Sequence, residues 1–292
     1  MLVRNGWLTR GIELAEPPKR WLARWRGPIV IMAMVLFLAG SIWSFLGLGL
    51  SLEELNLTAL FVLLVPMGLA MIVYSAIALC LLARTAGVPL GMVQAMRATA
   101  HAQLAEALPI PGGAIVRAAA LVSAGASAQT SAALVIGTAL LWIALAGIAA
   151  GAILLPLTGG WLLIGGGSVI VAAALFHLVR LGGITNAVLT LLHRSLGLGL
   201  AAVRLWLSFA VVKAVLPLVA TFPYVLAAIA GSASSLVPGG LGVSEALGSL
   251  MAQAIHASPT AAFLALAVNR VTQFLGTALF WPLLEYRRKH ER

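Results

Sequence analysis

The sequence contains no aspartate, a single cysteine and few charged residues of any kind. Only 9% of its 292 residues are charged and 62% are apolar, whereas soluble domains are about 25% charged and about 45–50% apolar. No charged residue occurs between 118 and 179. A soluble fold cannot bury so much apolar chain, so we interpret the protein as an integral membrane protein. This excludes soluble enzymes and nucleic-acid binders, and the lone Cys80 excludes an internal disulfide framework.

The net charge of +10 is concentrated at the two ends of the chain. Of the 26 charged residues, 14 lie in residues 1–27 and 285–292, and both ends are predominantly basic. Lys and Arg flanking membrane spans stay on the cytoplasmic side, so we expect both termini to be cytoplasmic. We expect no nucleic-acid partner. No His, Cys or carboxylate cluster has the spacing of a metal site, and we expect no cofactor.

Five apolar runs are long enough to cross about 30 Å of hydrocarbon. They cover roughly 28–48, 57–83, 128–157, 160–180 and 260–284. A sixth run, about 200–217, is interrupted by Lys213, which we expect to lie deep in that span. We interpret 28–48 as a retained helix rather than a signal peptide, because its basic leader is long and no convincing cleavage site follows.

Two further stretches, 92–124 and 218–255, have a Pro-Gly-Gly break at the centre and a short helical segment on either side. Placing Pro111 on Pro238 aligns the two breaks at an offset of 127 residues. Three spans separate the stretches, an odd number, so they would enter the membrane from opposite faces. The predicted fold is therefore an all-α integral membrane protein with about six transmembrane helices and two inverted re-entrant helical hairpins.

This layout divides the chain into three parts. Residues 1–27 form a basic cytoplasmic or interfacial segment, 28–285 a polytopic membrane domain with inverted repeats centred on 111–113 and 238–240, and 286–292 a basic cytoplasmic tail. Charge agrees with this orientation, since Glu53 and Glu54 fall outside while Arg180, His193 and Arg194 fall in a predicted inner loop.

The Pro-Gly-Gly breaks supply the chemistry of an anion site. Proline removes an N–H group, and glycine permits positive φ and close backbone approach. The helix after each break begins with unpaired N–H groups and a positive dipole end, which attract anions such as phosphate. These properties nominate six substrate-binding positions: Pro111, Gly112, Gly113, Pro238, Gly239 and Gly240.

Four charged residues are predicted to lie within the membrane. Arg117 and Glu245 follow the two breaks at similar depth, Arg270 lies about 15 Å into the last span at about 1.5 Å per residue, and Lys213 interrupts the fifth span. Ionisable groups at such depth usually face a cavity or each other. A substrate cavity and a purely structural lock are both open readings, and the Lys213 ammonium could instead reach the interface.

Three segments together resemble the transmembrane region of lysylphosphatidylglycerol synthases, a flippase-like family of bacterial membrane proteins. They are LPIPGGAIVR at 108–117, VPGGLGVSE at 237–245 and Asn269-Arg270, and the resemblance covers roughly residues 28–285. Ala114 and Ile115 depart from it, since relatives often have an acidic or polar residue there. The resemblance implies functional roles for Arg117, Pro238, Gly239, Gly240, Gly242, Glu245 and Arg270, and a bacterial inner-membrane location.

In the bifunctional relatives this region is implied to flip a lipid made by a soluble aminoacyl-transferase domain. The sequence ends at Arg292, just past its last predicted span, so we expect no aminoacyl transfer and no enzymatic activity. The expected partner is a membrane phospholipid or other anionic lipid, with a separate lipid-modifying enzyme as a further candidate. The mechanism would be alternating exposure of a mid-membrane site.

Several functions stay open from the sequence. The leading one is movement, or at least binding, of an amphiphile with an anionic head: a phospholipid, or a polyisoprenoid- or hopanoid-linked lipid. The alternatives are a transporter of a small soluble anion, a membrane-embedded lipid-modifying enzyme, and a non-transporting scaffold of a lipid-synthesis complex.

Overall fold

The structure is a computed structural model that describes residues 16–107, 111–233 and 240–290, with side chains between 31 and 285 except Thr158. Within these ranges all regular secondary structure is helical. Four helical segments are long and apolar enough to cross a membrane: Leu57–Thr85, Ala128–Ile153, Gly159–Val211 and Pro259–Glu285. The predicted all-helical membrane class therefore fits the structure.

The described residues form ten α-helices, which we number in chain order. They are α1 (Glu16–Gly47), α2 (Leu57–Leu64), α3 (Pro66–Thr85), α4 (Met92–Ala105), α5 (Gly112–Ser123), α6 (Ala128–Ile153), α7 (Thr158–Val211), α8 (Phe222–Ala233), α9 (Val243–Ala254) and α10 (Pro259–His290). Side-chain caps start two of them. Asn56 accepts from the Ala59 N–H at 3.1 Å before α2, and Ser127 accepts from the Thr130 N–H at 3.0 Å before α6.

The long helix α7 folds back on itself at Gly183, where φ is 80° and ψ is 167°. A straight helix of 54 residues would be about 80 Å long at about 1.5 Å per residue. Instead, Leu157 before its start and Phe209 near its end line one cavity. The predicted inner loop holding Arg180, His193 and Arg194 is therefore wrong, because all three residues are helical.

Lys213 lies beyond the end of α7, contrary to the expectation that it would sit deep in a span. Its side chain is exposed, its φ is 57°, and the helix has already ended at Val211. The backbone N–H of Asn56 donates to the Val211 carbonyl at 3.1 Å, so this connection lies beside the start of α2. Lys213 is thus a residue of an exposed turn.

Two pairs of short helices flank the two predicted breaks. The first pair is α4 and α5, of 14 and 12 residues, and the second is α8 and α9, of 12 residues each. The prediction of a short helix on either side of each break is confirmed. Pro238 and Gly239, together with the rest of 234–239, lie outside the described residues.

The glycines of the two breaks act differently from one another. Gly240 and Gly242 adopt positive φ, 71° and 79°, so the second break uses the conformational freedom of glycine. Gly112 and Gly113 are helical instead. A Cβ on Gly112 would collide with the Ala105 carbonyl, and one on Gly113 would lie 2.6 Å from Oε1 of Glu106. The first break therefore uses glycine for the close approach of α4 to α5.

Two apolar clusters form the core. One gathers Leu63, Leu205, Phe209, Tyr224 and Leu266, and the other gathers Leu79, Leu121, Leu134, Leu141 and Leu178. Helices α3 and α10 cross closely where Gly68 meets Gly276, since a Cβ on Gly68 would lie 3.2 Å from the Gly276 Cα. The outer helix α1 packs on α10 where Gly40 faces the Phe263 ring.

The first and last helices of the described chain extend beyond their apolar runs. Helix α1 begins at Glu16, so residues 16–27 continue into the apolar part of the same helix. Helix α10 likewise runs on to His290, through most of the predicted basic tail. Residues 1–15 and 291–292 lie outside the described part of the chain.

Candidate functional site

A cavity of about 410 Å³ lies between the two short-helix pairs. On one side it is lined by the start of α5, from Pro111 to Arg117, and on the other by α8, from Val225 to Ala233. Residues of α3, α6, α7 and α10 complete the wall. Leu79 and Leu205, one from each core cluster, both contribute, so the cavity lies where the two clusters meet.

The charged part of the cavity wall is strongly cationic. Its described charged residues are Arg117, Arg194, Arg204 and Glu106. The neutral polar residues beside them are Ser75, Gln103, Thr138, Ser232, Asn269 and Gln273. With three arginines and one carboxylate, this lining attracts anions, while the apolar remainder of the wall suits an apolar group.

Arg204 is the most buried of these arginines, with 2% of its surface exposed. Its Nε donates to Oδ1 of Asn269 at 3.1 Å, and its Nη2 donates to the Asn269 carbonyl at 2.8 Å. Its Nη1 is buried and has no hydrogen-bond partner among the described residues. Buried N–H donors are nearly always satisfied, so Nη1 requires an acceptor that the described protein groups do not provide.

Arg194 lies in the second half of α7 among aromatic rings. Its guanidinium carbon is 5.6 Å from the centre of the Trp142 ring, and Tyr74 stacks on His193 with 4.2 Å between ring centres. The Nε of Arg194 is buried and, like Nη1 of Arg204, has no hydrogen-bond partner in the described part of the structure. Arg117 is near enough to Arg194 to repel it electrostatically.

Arg117 forms an ion pair with Glu106 across the first break. Its Nη2 lies 2.9 Å from Oε1 of Glu106, and the two side chains are 29% and 32% exposed. Both residues line the cavity. The pair is therefore only partly buried and accessible to an anion that enters the cavity.

Glu245 and Arg270 form a second ion pair, behind the second break. The Nε of Arg270 donates to Oε1 of Glu245 at 2.8 Å, and the Glu245 side chain is fully buried. Oε2 of Glu245 accepts from the Gly242 N–H at 2.8 Å, which caps the start of α9. Arg270 also donates to Oγ of Ser244 at 2.5 Å and to the Gly240 carbonyl at 3.4 Å. This pair holds α9 on α10.

The structure separates the residues that the sequence grouped into one site. Arg117, Pro111, Gly112 and Gly113 line the cavity. Glu245 and Arg270 are absent from its described lining, although Asn269 and Gln273 next to Arg270 belong to it. Gly240 and Gly242 support the buried pair, and Lys213 lies in its exposed turn.

Sequence reasoning missed Arg204 and assigned Arg194 to a loop, and it considered Glu106 only as a partner of Arg97 or Arg117. A signal for the first two was present. Arg194, Ala201, Arg204 and Leu205 recur at intervals of seven, three and one, which places them on one face of a helix, and all four line the cavity. Two arginines on a shared face of an apolar helix indicate a cavity or a partner.

No family model, curated protein or solved structure matches this chain. Within the described residues no group of three or more His, Cys, Asp or Glu side chains is placed to hold a metal ion. The site must therefore be interpreted from its own geometry.

Proposed function

We propose that this protein translocates an amphiphile with an anionic headgroup and that the headgroup binds in the arginine-lined cavity. The observation that carries the proposal is Arg204, a residue of the cavity wall whose buried Nη1 has no acceptor among the described residues. A phosphate oxygen would satisfy it, because guanidinium groups match the geometry of phosphate. The resemblance to the flippase-like family supports the same function.

The apolar part of the wall favours a lipid over a soluble anion. It includes Met71, Leu79 and Leu82 of α3, Val135 and Ile143 of α6, and Val225 and Ile229 of α8. A small inorganic ion gains nothing from apolar side chains, whereas an amphiphile buries its hydrocarbon against them. Together, cationic and apolar lining matches the two halves of a lipid molecule.

The proposal includes a membrane arrangement. The apolar segment Gly159–Val211 would cross twice because it folds back at Gly183, and Ile31–Gly47 would cross once. With the three other long segments this makes six crossings, with both termini in the cytoplasm of a bacterial cell. The short pairs α4–α5 and α8–α9 would enter from opposite faces as inverted re-entrant hairpins.

Within this arrangement the residues divide into two groups. Arg117, Arg194 and Arg204 bind the headgroup, and Glu106 balances the charge of Arg117 when no headgroup is present. Glu245 and Arg270 maintain the position of α9, which keeps the second break in place. The charged residues of the cavity therefore act on the substrate, and the buried pair acts on the fold.

The test is translocation of fluorescent phosphatidic acid, an anionic phospholipid, in proteoliposomes. Arg204→Gln should reduce the rate at least tenfold, because the glutamine amide can still bond Asn269 but carries no charge for the headgroup. Arg180→Gln is the matched control, since Arg180 is an exposed arginine of the same helix outside the cavity lining. Its rate should equal that of the wild type.

Three outcomes count against the proposal. Equal rates in the wild type and in protein-free vesicles exclude lipid translocation. Equal rates in Arg204→Gln and the wild type exclude the cavity as its site. Uptake of inorganic phosphate in the absence of lipid movement favours the alternative of a soluble-anion transporter.

A further inference from the structure

The charges around the cavity do not balance, and we infer from this that the headgroup is a dianion. The chemical class is a phosphate monoester or a diphosphate, rather than the singly charged phosphodiester of common phospholipids. The inference rests on the proposed function and names the substrate class of the same cavity.

The charged residues of the cavity wall do not neutralise one another. Glu106 neutralises Arg117 through the 2.9 Å ion pair. Arg194 and Arg204 remain, and neither has a carboxylate partner among the described residues. The described cavity wall therefore carries two positive charges without counter-ions.

Part of this positive charge is deeply buried. Arg204 is 2% exposed, and Asn269 and Thr272 offer it only neutral oxygen atoms. An uncompensated charge this deep in a membrane protein is unfavourable, and such residues normally face a partner of opposite sign. A monoanion would leave one of the two charges uncompensated, whereas a dianion would neutralise both.

The hydrogen-bond donors of the cavity wall match the number of terminal oxygens in a phosphate monoester. A phosphate monoester has three terminal oxygens and a charge of about −1.5 to −2 at neutral pH. Three parts of the cavity wall carry donors: Arg204 with its unpaired Nη1, Arg194 with its unpaired Nε, and the start of α5 at Gly112 and Gly113. The first N–H groups of a helix lack acceptors within it and lie at its positive end. A phosphodiester offers only two such oxygens and carries one charge.

Glu106 favours strongly charged headgroups over weakly charged ones, because it occupies the site when no headgroup is bound. Its carboxylate occupies Arg117 and lies against Gly113 at the start of α5. A weakly charged headgroup would have to compete with this internal carboxylate for the same donors. A dianion competes better, because it interacts more strongly with the two other arginines as well.

The experiment compares two lipids that differ by one methyl group. Dihexanoyl phosphatidic acid is a phosphate monoester, and dihexanoyl phosphatidylmethanol is its methyl diester. Both are titrated calorimetrically into the full-length protein in detergent. At pH 8.5 the wild type should bind the monoester at least tenfold more tightly. At pH 5 that preference should shrink, because the second pKa of a phosphate monoester is about 6 and its charge falls.

Variants and controls separate the charge of the ligand from that of the protein. Arg194→Gln should reduce the preference for the monoester at pH 8.5 at least threefold, while Arg180→Gln should leave it unchanged. Binding of phosphatidylmethanol at both pH values controls for titration of protein groups near the site, chiefly Glu106 and His193. Glycerol 3-phosphate, which has the same monoester without chains, should bind much more weakly than phosphatidic acid.

Each of the other possible binding results refutes a specific part of the two proposals. Equal or tighter binding of the diester refutes the inference of a dianionic headgroup. If transport of the fluorescent phospholipid still depends on Arg204, the proposed function stands without that inference. A monoester preference that Arg194→Gln leaves intact also refutes the charge count. Glycerol 3-phosphate binding as tightly as phosphatidic acid keeps the dianion but refutes a lipid substrate. If none of the three ligands binds, both proposals fail.

Discussion

Arg270 and Glu245 form a buried ion pair, with Nε and Oε1 separated by 2.8 Å and side chains that are 10% and 0% exposed. The same carboxylate caps α9, and the same guanidinium reaches Ser244 and the Gly240 carbonyl. Arg117 and Glu106 form a pair of similar length, 2.9 Å, but their side chains are 29% and 32% exposed. The two pairs therefore have different consequences when one partner is removed.

Removal of one partner of the buried pair should destabilise the protein. Arg270→Met leaves Glu245 buried without its cation, and the loss should be about 3–5 kcal/mol. Thermal unfolding in detergent, followed by tryptophan fluorescence, measures this as a large decrease in Tm.

The double variant Glu245→Gln/Arg270→Met is the control for this pair. It removes both charges, so it should recover most of the stability and retain lipid translocation. A stable double variant without transport would show that the pair belongs to the substrate site and not only to the fold.

Removal of one partner of the partly exposed pair should change the affinity for lipid and have little effect on stability. Glu106→Gln should change the free energy of unfolding by about 1 kcal/mol or less, because partly exposed ion pairs contribute little. It also removes the internal competitor for Arg117, so the apparent affinity for an anionic lipid should rise several-fold. Calorimetric titration with dihexanoyl phosphatidic acid measures the affinity, and an unchanged or weaker affinity contradicts the role of Glu106 as a displaceable counter-ion.

The reversal of α7 predicts that glycine is required at Gly183. Gly183→Ala should destabilise the protein by about 1 kcal/mol or more, because residues with a Cβ rarely adopt φ near 80°. Gly199→Ala is the matched control on the same helix, since its Cβ would meet nothing within 4 Å and its backbone is helical. It should be neutral or slightly stabilising. Equal Tm values for the two variants would contradict the requirement for glycine at Gly183.

The proposed orientation predicts which connections a membrane-impermeant thiol reagent reaches. In a Cys80→Ser background, Glu53→Cys should react from outside intact cells, because the short helix at Leu52–Glu54 is exposed between α1 and α2. Pro89→Cys, in the exposed connection between α3 and α4, should react only after the cells are permeabilised. Labelling of Pro89→Cys from outside would reverse the topology.

Local patterns predicted the helical layout well. Apolar runs located the long helices, and the Pro-Gly-Gly breaks located the short helices around Gly112 and Gly240, because proline and glycine interrupt helices by their own backbone chemistry. The reversal at Gly183 was not predicted. The basic stretch between two predicted spans was interpreted as an inner loop, yet His193 and Arg194 are helical and pack against Tyr74 and Trp142.

The partners of the charged residues could not be predicted from local pattern. Arg204 bonds Asn269 across 65 positions of sequence, and nothing near Arg204 marks that contact. Equal depth suggested that Arg117 and Glu245 would meet, but side-chain pairing depends on how helices pack sideways as well as on depth. Arg117 instead pairs with Glu106 at the end of the preceding helix, and Glu245 pairs with Arg270 of the following helix.

The single-residue reversal at Gly183 also bears on how the chain reaches the membrane during synthesis. Helices that are joined by a polar loop can leave the translocation machinery one after the other. Here 159–211 is one apolar segment with helix on both sides of the reversal. No polar loop separates its two halves, so the first half cannot insert independently of the second. We therefore expect both halves to partition into the lipid together, as a preformed hairpin. Arg194 and Arg204 would then enter as part of that hairpin, and the helices made later would close around them.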